Sequence, residues 1–111
     1  MLRAWDEQRA QAWAVGDGRR LRGLYVDGAG AADVRLLRRY AERGYRVEGL
    51  TTQLLAVDVL DRAPDRWRLR VTDRVARGVA VGDGERLRLP RDRADTREVT
   101  LTRGDDGQWR V

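Results

Sequence analysis

The sequence predicts a single α+β domain over residues 1–111, with three helices within residues 2–43 and a mostly antiparallel sheet within residues 45–111. Apolar residues recur at helical spacing up to Gly44 and at alternate positions after it. Turns rich in glycine and aspartate divide the second part into strands. A chain of 111 residues forms one hydrophobic core and has no room for a second module.

The first predicted helix covers residues 2–15 and ends at Gly16. Asp17 is a favourable N-cap for a short second helix over residues 18–25. The first helix carries a buried stripe at helical spacing, formed by Leu2, Trp5, Ala12 and Trp13.

A flexible segment at residues 27–32 precedes the third helix. We expect Asp33 to cap this helix, which runs to about Arg43 and stops at Gly44. Its inner face consists of Val34, Leu37 and Ala41.

Residues 45–48 predict a short strand, residues 52–61 a longer one, and residues 66–77 a returning strand after a loop at Pro64. The inner face of the returning strand consists of Trp67, Leu69, Val71, Asp73 and Val75. A turn centred near Pro64 sets Val59 opposite Leu69, Val57 opposite Val71, Leu55 opposite Asp73, and Asp58 opposite Arg70.

A second turn at residues 82–84 joins residues 79–81 to residues 87–89, and Pro90 ends that segment. Residues 91–96 are expected to form a charged loop. In the last hairpin, Asp105, Asp106 and Gly107 form the turn, and Trp109 and Val111 return on the same face as Val99 and Leu101.

The composition excludes several kinds of chemistry. The chain has no Cys, His, Lys or Ser, so it has no disulfide, thiolate nucleophile, zinc site of the usual kind, Ser–His triad or Schiff-base lysine. We therefore expect no metal and no cofactor. Any catalysis depends on Asp, Glu, Arg, Tyr or Thr.

All 23 basic residues are arginine, and the composition is typical of a GC-rich genome. Although the net charge is +5, 18 acidic residues are interleaved with the arginines, so we do not expect nucleic-acid binding. The stripe of Arg66, Arg68, Arg70 and Arg74 is interpreted as a solvated face or a dimer interface, since Asp58 and Asp61 lie on the partner strand.

No run approaches the roughly 20 apolar residues of a membrane span. Asp6 and Glu7 interrupt any signal-peptide core, so a cytoplasmic location is the default expectation. A domain excised from a longer, exported protein would have the same composition.

Gly16-Asp17 followed by Leu-Arg-Gly-Leu-Tyr at residues 21–25 resembles the entry motif of the nuclear transport factor 2-like superfamily. The closing segment at residues 99–111, where a glycine turn precedes Trp109 and Arg110, is similar to the final hairpin of that superfamily. The resemblance implies a curved sheet wrapped around the helices as a cone-shaped half-barrel, and pairing as a homodimer. That superfamily includes ketosteroid isomerases, polyketide cyclases, epoxide hydrolases and non-enzymatic binding domains.

Asp73 is the first candidate catalytic residue, because an inward carboxylate between Val71 and Val75 would be desolvated and could act as a general base. Tyr40 is the candidate electrophilic donor, with Tyr25 and Tyr45 as the other available hydroxyls. Epoxide hydrolysis of the family kind needs two carboxylates bridged by an arginine, and the strands show only one inward acid.

The expected ligand-binding residues are Trp67, Tyr25, Leu55 and Val71. Trp5, Trp13 and Trp109 are assigned to the core, which lacks Phe and Ile. The first hypothesis for function is a binding module for a small apolar ligand or a protein partner. The alternatives are a cofactor-free isomerase or cyclase that uses Asp73, and an arginine-driven nucleic-acid binder.

Overall fold

The computed structural model describes residues 2–26, 28–82, 84–89 and 93–111. Across them the chain forms three helices and one antiparallel sheet of five strands that does not close into a barrel. None of the helices in these ranges is both long and apolar enough to cross a membrane. The elements are α1 (Leu2–Val15), α2 (Gly18–Arg22), α3 (Ala31–Glu42), β1 (Arg46–Ala63), β2 (Arg66–Gly82), β3 (Glu85–Arg88), β4 (Asp95–Arg103) and β5 (Trp109–Arg110).

α1 has the predicted bounds, whereas α2 begins as predicted but ends at Arg22, three residues before the predicted end at Tyr25. Gly16 ends α1 with φ of +69°, a conformation that favours glycine. The side chain of Asp17 accepts a hydrogen bond of 3.0 Å from the backbone N–H of Arg20, so it caps α2 as predicted.

The predicted cap of the third helix is wrong. α3 begins at Ala31 with Gly30 as its N-cap, which places Asp33 inside the first turn. Its carboxylate is directed away from its own backbone, because it accepts hydrogen bonds from side chains on α1 and from Tyr25. This tertiary demand outweighs the local preference of aspartate for the cap position.

The two strands predicted at residues 45–48 and 52–61 form one continuous strand, β1, of 18 residues. Gly49 lies between them with φ of +63°, and the pairing with β2 shifts between Glu48 and Thr51. Because a bulge absorbs the irregular residues, the strand bends and continues where the sequence pattern suggests a break.

The predicted register of the long hairpin is correct at three pairs and wrong at one. Val59 lies opposite Leu69, and the pairs Val57–Val71 and Asp58–Arg70 are also present. A shift between Leu54 and Ala56 sets Leu54, rather than Leu55, opposite Asp73. The bulged Leu55 consequently has 47% of its surface exposed.

β2 is the central strand and extends past the predicted end at residue 77. One edge of β2 pairs with β1 from Arg66 to Val81, whereas the other edge pairs with β4 at residues 66–73 and with β3 at residues 79–82. The final hairpin is confirmed, with Arg103 opposite Trp109. Asp27, Asp83, Pro90 and residues 91–92, which belong to the predicted flexible segment, turn and loop, lie outside the described residues.

Two apolar clusters form the core. One joins the helices to Val47 and contains the buried Trp5 and Trp13, as predicted. The other lies on the sheet and consists of Leu69, Val71, Val99 and Leu101. Leu2 packs against both clusters, and the half-buried Trp109 packs against the second. The N-terminal helix therefore lies across the apolar face of the sheet.

Candidate functional site

Asp73 lies on the helix-covered face of β2 and is the only buried charged residue of the described chain. Arg97 donates to both of its carboxylate oxygens, with Nη1–Oδ1 at 2.6 Å and Nη2–Oδ2 at 2.9 Å. Asp95 lies directly opposite Asp73 on β4, and Arg97 follows two residues later on the same face. Asp73 is thus an inward carboxylate, as the alternation predicts, but its two oxygens are both engaged.

Asp6 on α1 is a second acid near this ion pair. Burial raises the pKa of Asp6 to about 6, Arg9 opposes the rise, and the negative charge of Asp73 adds to it. Arg97 also acts on Asp6, so its positive charge is shared among more than one carboxylate. A carboxyl group that titrates near neutral pH can accept or donate a proton under physiological conditions.

Asp6 is thus a second acid within range of the charge of Arg97, which the strands alone do not supply. Asp6 and Asp73 both interact with the charge of Arg97, although only Asp73 is hydrogen-bonded to it. No tyrosine hydroxyl donates to Asp73 among the described hydrogen bonds, and no three acids of the described chain are placed to hold a metal ion.

A second polar group, centred on Asp33, joins α1 to α3. Arg9 donates to both carboxylate oxygens at 2.7 and 2.9 Å, the Tyr25 hydroxyl donates at 2.8 Å, and Trp13 Nε1 donates at 3.2 Å. Burial favours the neutral acid, but the hydrogen bonds and charge of Arg9 outweigh it and hold the pKa of Asp33 below its ordinary value. With four donors, this carboxylate serves the packing of the helices.

A partly open cavity of about 220 Å³ lies where α1, α3 and the sheet meet. We call it the apolar cavity. Its polar groups are Arg9 and Tyr40, and the Tyr40 ring packs edge-on against Trp13 with 5.7 Å between ring centroids. Its other lining residues are Trp13, Leu36, Val47, Leu50, Val75 and Leu89.

The structure distributes the remaining candidate residues over separate places. Tyr40 lines the apolar cavity, whereas Val71 is buried in the sheet cluster and Leu55 lies exposed on β1. Trp67 is half-buried at the far end of the sheet, with the Arg62 guanidinium 5.3 Å from its ring. Tyr25 contacts Asp33. These residues do not line one common pocket.

The arginine stripe of β2 lies on the opposite, exposed face of the sheet. Arg70 has Asp58 on one neighbouring strand and Glu98 on the other, and Arg68 has Asp61. Acidic residues therefore flank the stripe on both sides, which weakens its attraction for a polyanion.

Sequence reasoning missed Asp6 and Arg97. Arg97 stands at an inward position of β4, two residues before Val99, so strict alternation could have identified it. Asp6 gives no such signal, because its neighbour Glu7 and the arginines of α1 present the same local pattern of charge.

No protein-family model matches the chain, and no curated protein resembles it at a significant level.

Proposed function

We propose that the protein is a non-enzymatic binding module whose apolar cavity accepts a small apolar ligand. The observation that carries the proposal is the set of six apolar side chains around about 220 Å³ of space, with Arg9 and Tyr40 as the polar groups. A cavity of about 150 Å³ is known to accept benzene, so a ligand with one aromatic ring matches this size.

The fold supports this proposal. We propose that the sheet curves around the helices as the half-barrel of the nuclear transport factor 2-like superfamily. The interrupted pairing of β1 near Gly49, Leu55 and Leu60 favours curvature, since bulges bend a strand and increase its twist. The apolar cavity would then be the pocket of the cone.

Titration with toluene, followed by methyl NMR, tests the binding proposal. We expect saturable shifts at Leu36, Val47 and Val75, and their loss in Leu89→Trp, where the larger side chain fills the cavity. Leu87→Trp is the matched control, because Leu87 is exposed on β3 and does not line the cavity. Shifts that do not saturate, or that persist unchanged in Leu89→Trp, would contradict the proposal.

We also propose that the protein associates with a second copy through β1. Within the described chain, β1 pairs with β2 alone, which leaves its other edge without a strand. Leu55, Val57 and Val59 expose 47%, 44% and 54% of their surface along this edge. A long apolar edge strand is a template for pairing with another chain.

Light scattering tests this association. The protein should be a dimer, and a lysine at Val59 should dissociate it because a charge cannot be desolvated in the joined edge. Val15→Lys is the control, since Val15 is equally apolar, is 64% exposed and lies at the end of α1. A monomeric wild-type protein at high concentration would refute the association.

A second candidate function, an acid–base enzyme on a small apolar substrate, is favoured by the two acids around Arg97. Here Asp6 is the proton-transferring residue, and the Asp73 carboxylate with Arg97 positions the substrate. Turnover of an apolar epoxide or an unsaturated ketone should be lost in Asp6→Asn. Glu98→Gln, on the outer face of the sheet, should retain it. The absence of turnover in the wild-type protein would exclude this candidate for those substrates.

A further inference from the structure

The segment that contains α2, α3 and their connection accounts for most of the net positive charge of the protein. Residues 17–43 contain seven arginines against four acids, which is more than half of the net charge of +5. All seven of these arginines are exposed. On α3, Arg35 and Arg39 are four residues apart, a spacing at which like charges destabilise a helix.

Three of these arginines surround one recess. A recess of about 310 Å³ lies between α2 and α3 and is lined by Arg22, Arg35 and Arg38, with Tyr25 at its wall. We call it the arginine recess. Its described lining residues include no carboxylate, and none of the three arginines forms a salt bridge within the described chain.

Asp33, the acid in the first turn of α3, is not available to neutralise the recess. Asp33 already accepts hydrogen bonds from Arg9, Tyr25 and Trp13, which are directed at it from α1 and from the α2 side. Its negative charge is therefore matched by the half-buried Arg9, whose side chain is 21% exposed. Among the described residues no acid pairs with these arginines, so their guanidinium groups have donors for an external anion.

The wall of the recess is held in a defined position. The Tyr25 ring packs edge-on against Trp5, with 5.2 Å between centroids, and its hydroxyl is 2.8 Å from Asp33 Oδ2. The ring also covers Gly30 so closely that a Cβ there would overlap it. A recess whose wall is fixed by packing and hydrogen bonds loses little freedom when a ligand enters.

We propose that the arginine recess binds a phosphate group, with Arg22, Arg35 and Arg38 as its donors. Guanidinium groups match the oxygens of phosphate in pairs, and three of them compensate the two negative charges of a phosphate monoester. The phosphate belongs either to a soluble phosphorylated compound or to a phospholipid headgroup, since the same chemistry recognises both.

Calorimetric titration with inorganic pyrophosphate at low salt tests the site. We expect saturable binding together with shifts of the amide resonances of Gly28 and Gly30, and a loss of about tenfold in affinity in Arg35→Ala. Arg35→Lys should recover part of the affinity, because it restores the charge without the paired donors. Arg86→Ala, on the exposed strand β3, is the control and should bind like the wild type.

Sedimentation with vesicles of phosphatidic acid or of phosphatidylcholine distinguishes the two sources. Binding to phosphatidic acid that depends on Arg35 assigns the phosphate to a lipid headgroup. Pyrophosphate binding without vesicle binding assigns it to a soluble compound. The proposal is overturned if neither probe binds, or if Arg86→Ala weakens binding as much as Arg35→Ala does.

Discussion

Asp73 and Arg97 form a bidentate ion pair on the helix-covered face of the sheet, with N–O distances of 2.6 and 2.9 Å. The side chain of Asp73 is 8% exposed and that of Arg97 is 50% exposed. The carboxylate is therefore withdrawn from water, while its partner reaches back to the surface. Because the carboxylate is buried, its negative charge depends on Arg97 for compensation.

Replacement of Arg97 by alanine should destabilise the protein by about 2 kcal/mol, since it leaves the buried carboxylate of Asp73 without its donors. The free energy of unfolding in urea measures the loss. Arg97→Ala combined with Asp73→Asn should be more stable than Arg97→Ala alone. Equal stability of the single and double variants would show that the ion pair does not act as a unit.

Asp6 should make stability depend on pH below neutrality. Its pKa is about 6 in the folded protein and 3.8 ordinarily, so the folded chain binds the proton more tightly. Stability should therefore increase as the pH falls from about 7 to about 4, by about 1 kcal/mol after allowance for solvent screening of a half-buried group.

The variant Asp6→Asn isolates this effect. It should be more stable than the wild type at pH 7 and should remove the increase between pH 7 and 4, because an amide does not titrate. Glu7→Gln, which replaces the adjacent and exposed acid, is the control. If the pH dependence survives in Asp6→Asn, another group is responsible for it.

The Asp33 group should show a graded response. Tyr25→Phe removes one hydrogen bond and should cost about 1 kcal/mol. Asp33→Ala should cost about 3 kcal/mol, because it leaves the largely buried Arg9 guanidinium without a counter-charge. Thermal denaturation of the two variants compares their losses of stability. A larger loss in Tyr25→Phe than in Asp33→Ala would be inconsistent with a central role for Asp33.

Gly30 should not tolerate a side chain. Gly30→Ala places a methyl group within the Tyr25 ring and should cost more than about 2 kcal/mol as the ring is displaced. Gly18→Ala is the matched control, since the nearest atom to its added Cβ is Leu37 Cδ2 at 3.9 Å, an ordinary contact. Chemical denaturation of both variants measures the difference. Similar stability of the two would mean that Tyr25 moves freely.

Much of the fold was predictable because it depends on local preferences and periodicity. Gly16 and Asp17 separate the first two helices through their own backbone and side-chain chemistry. Strand alternation places Asp73 inward and sets Val59 opposite Leu69. Such features need only neighbouring residues, or two strands joined by a short loop.

The errors occur where distant residues compete with local ones. Asp33 has the chemistry of a helix cap, yet donors from α1 take its carboxylate. A bulge before Ala56 moves Leu55 out of register, and the sequence contains no glycine or proline there to indicate it. For Asp33, the donors Arg9 and Trp13 lie 24 and 20 residues away in the sequence.

Composition, periodicity and strand alternation establish the α+β class, the order of the elements, the inward position of Asp73 and the absence of Cys- and His-based chemistry. The packed fold adds that Arg97 engages both oxygens of Asp73, that the charges of this pair act on the pKa of Asp6, and that Tyr40 lines the apolar cavity. The two sets of features differ in the range of the interactions behind them. Periodicity and capping act within a few residues, whereas ion pairs, cavities and pKa shifts depend on side chains that only the packed fold brings together.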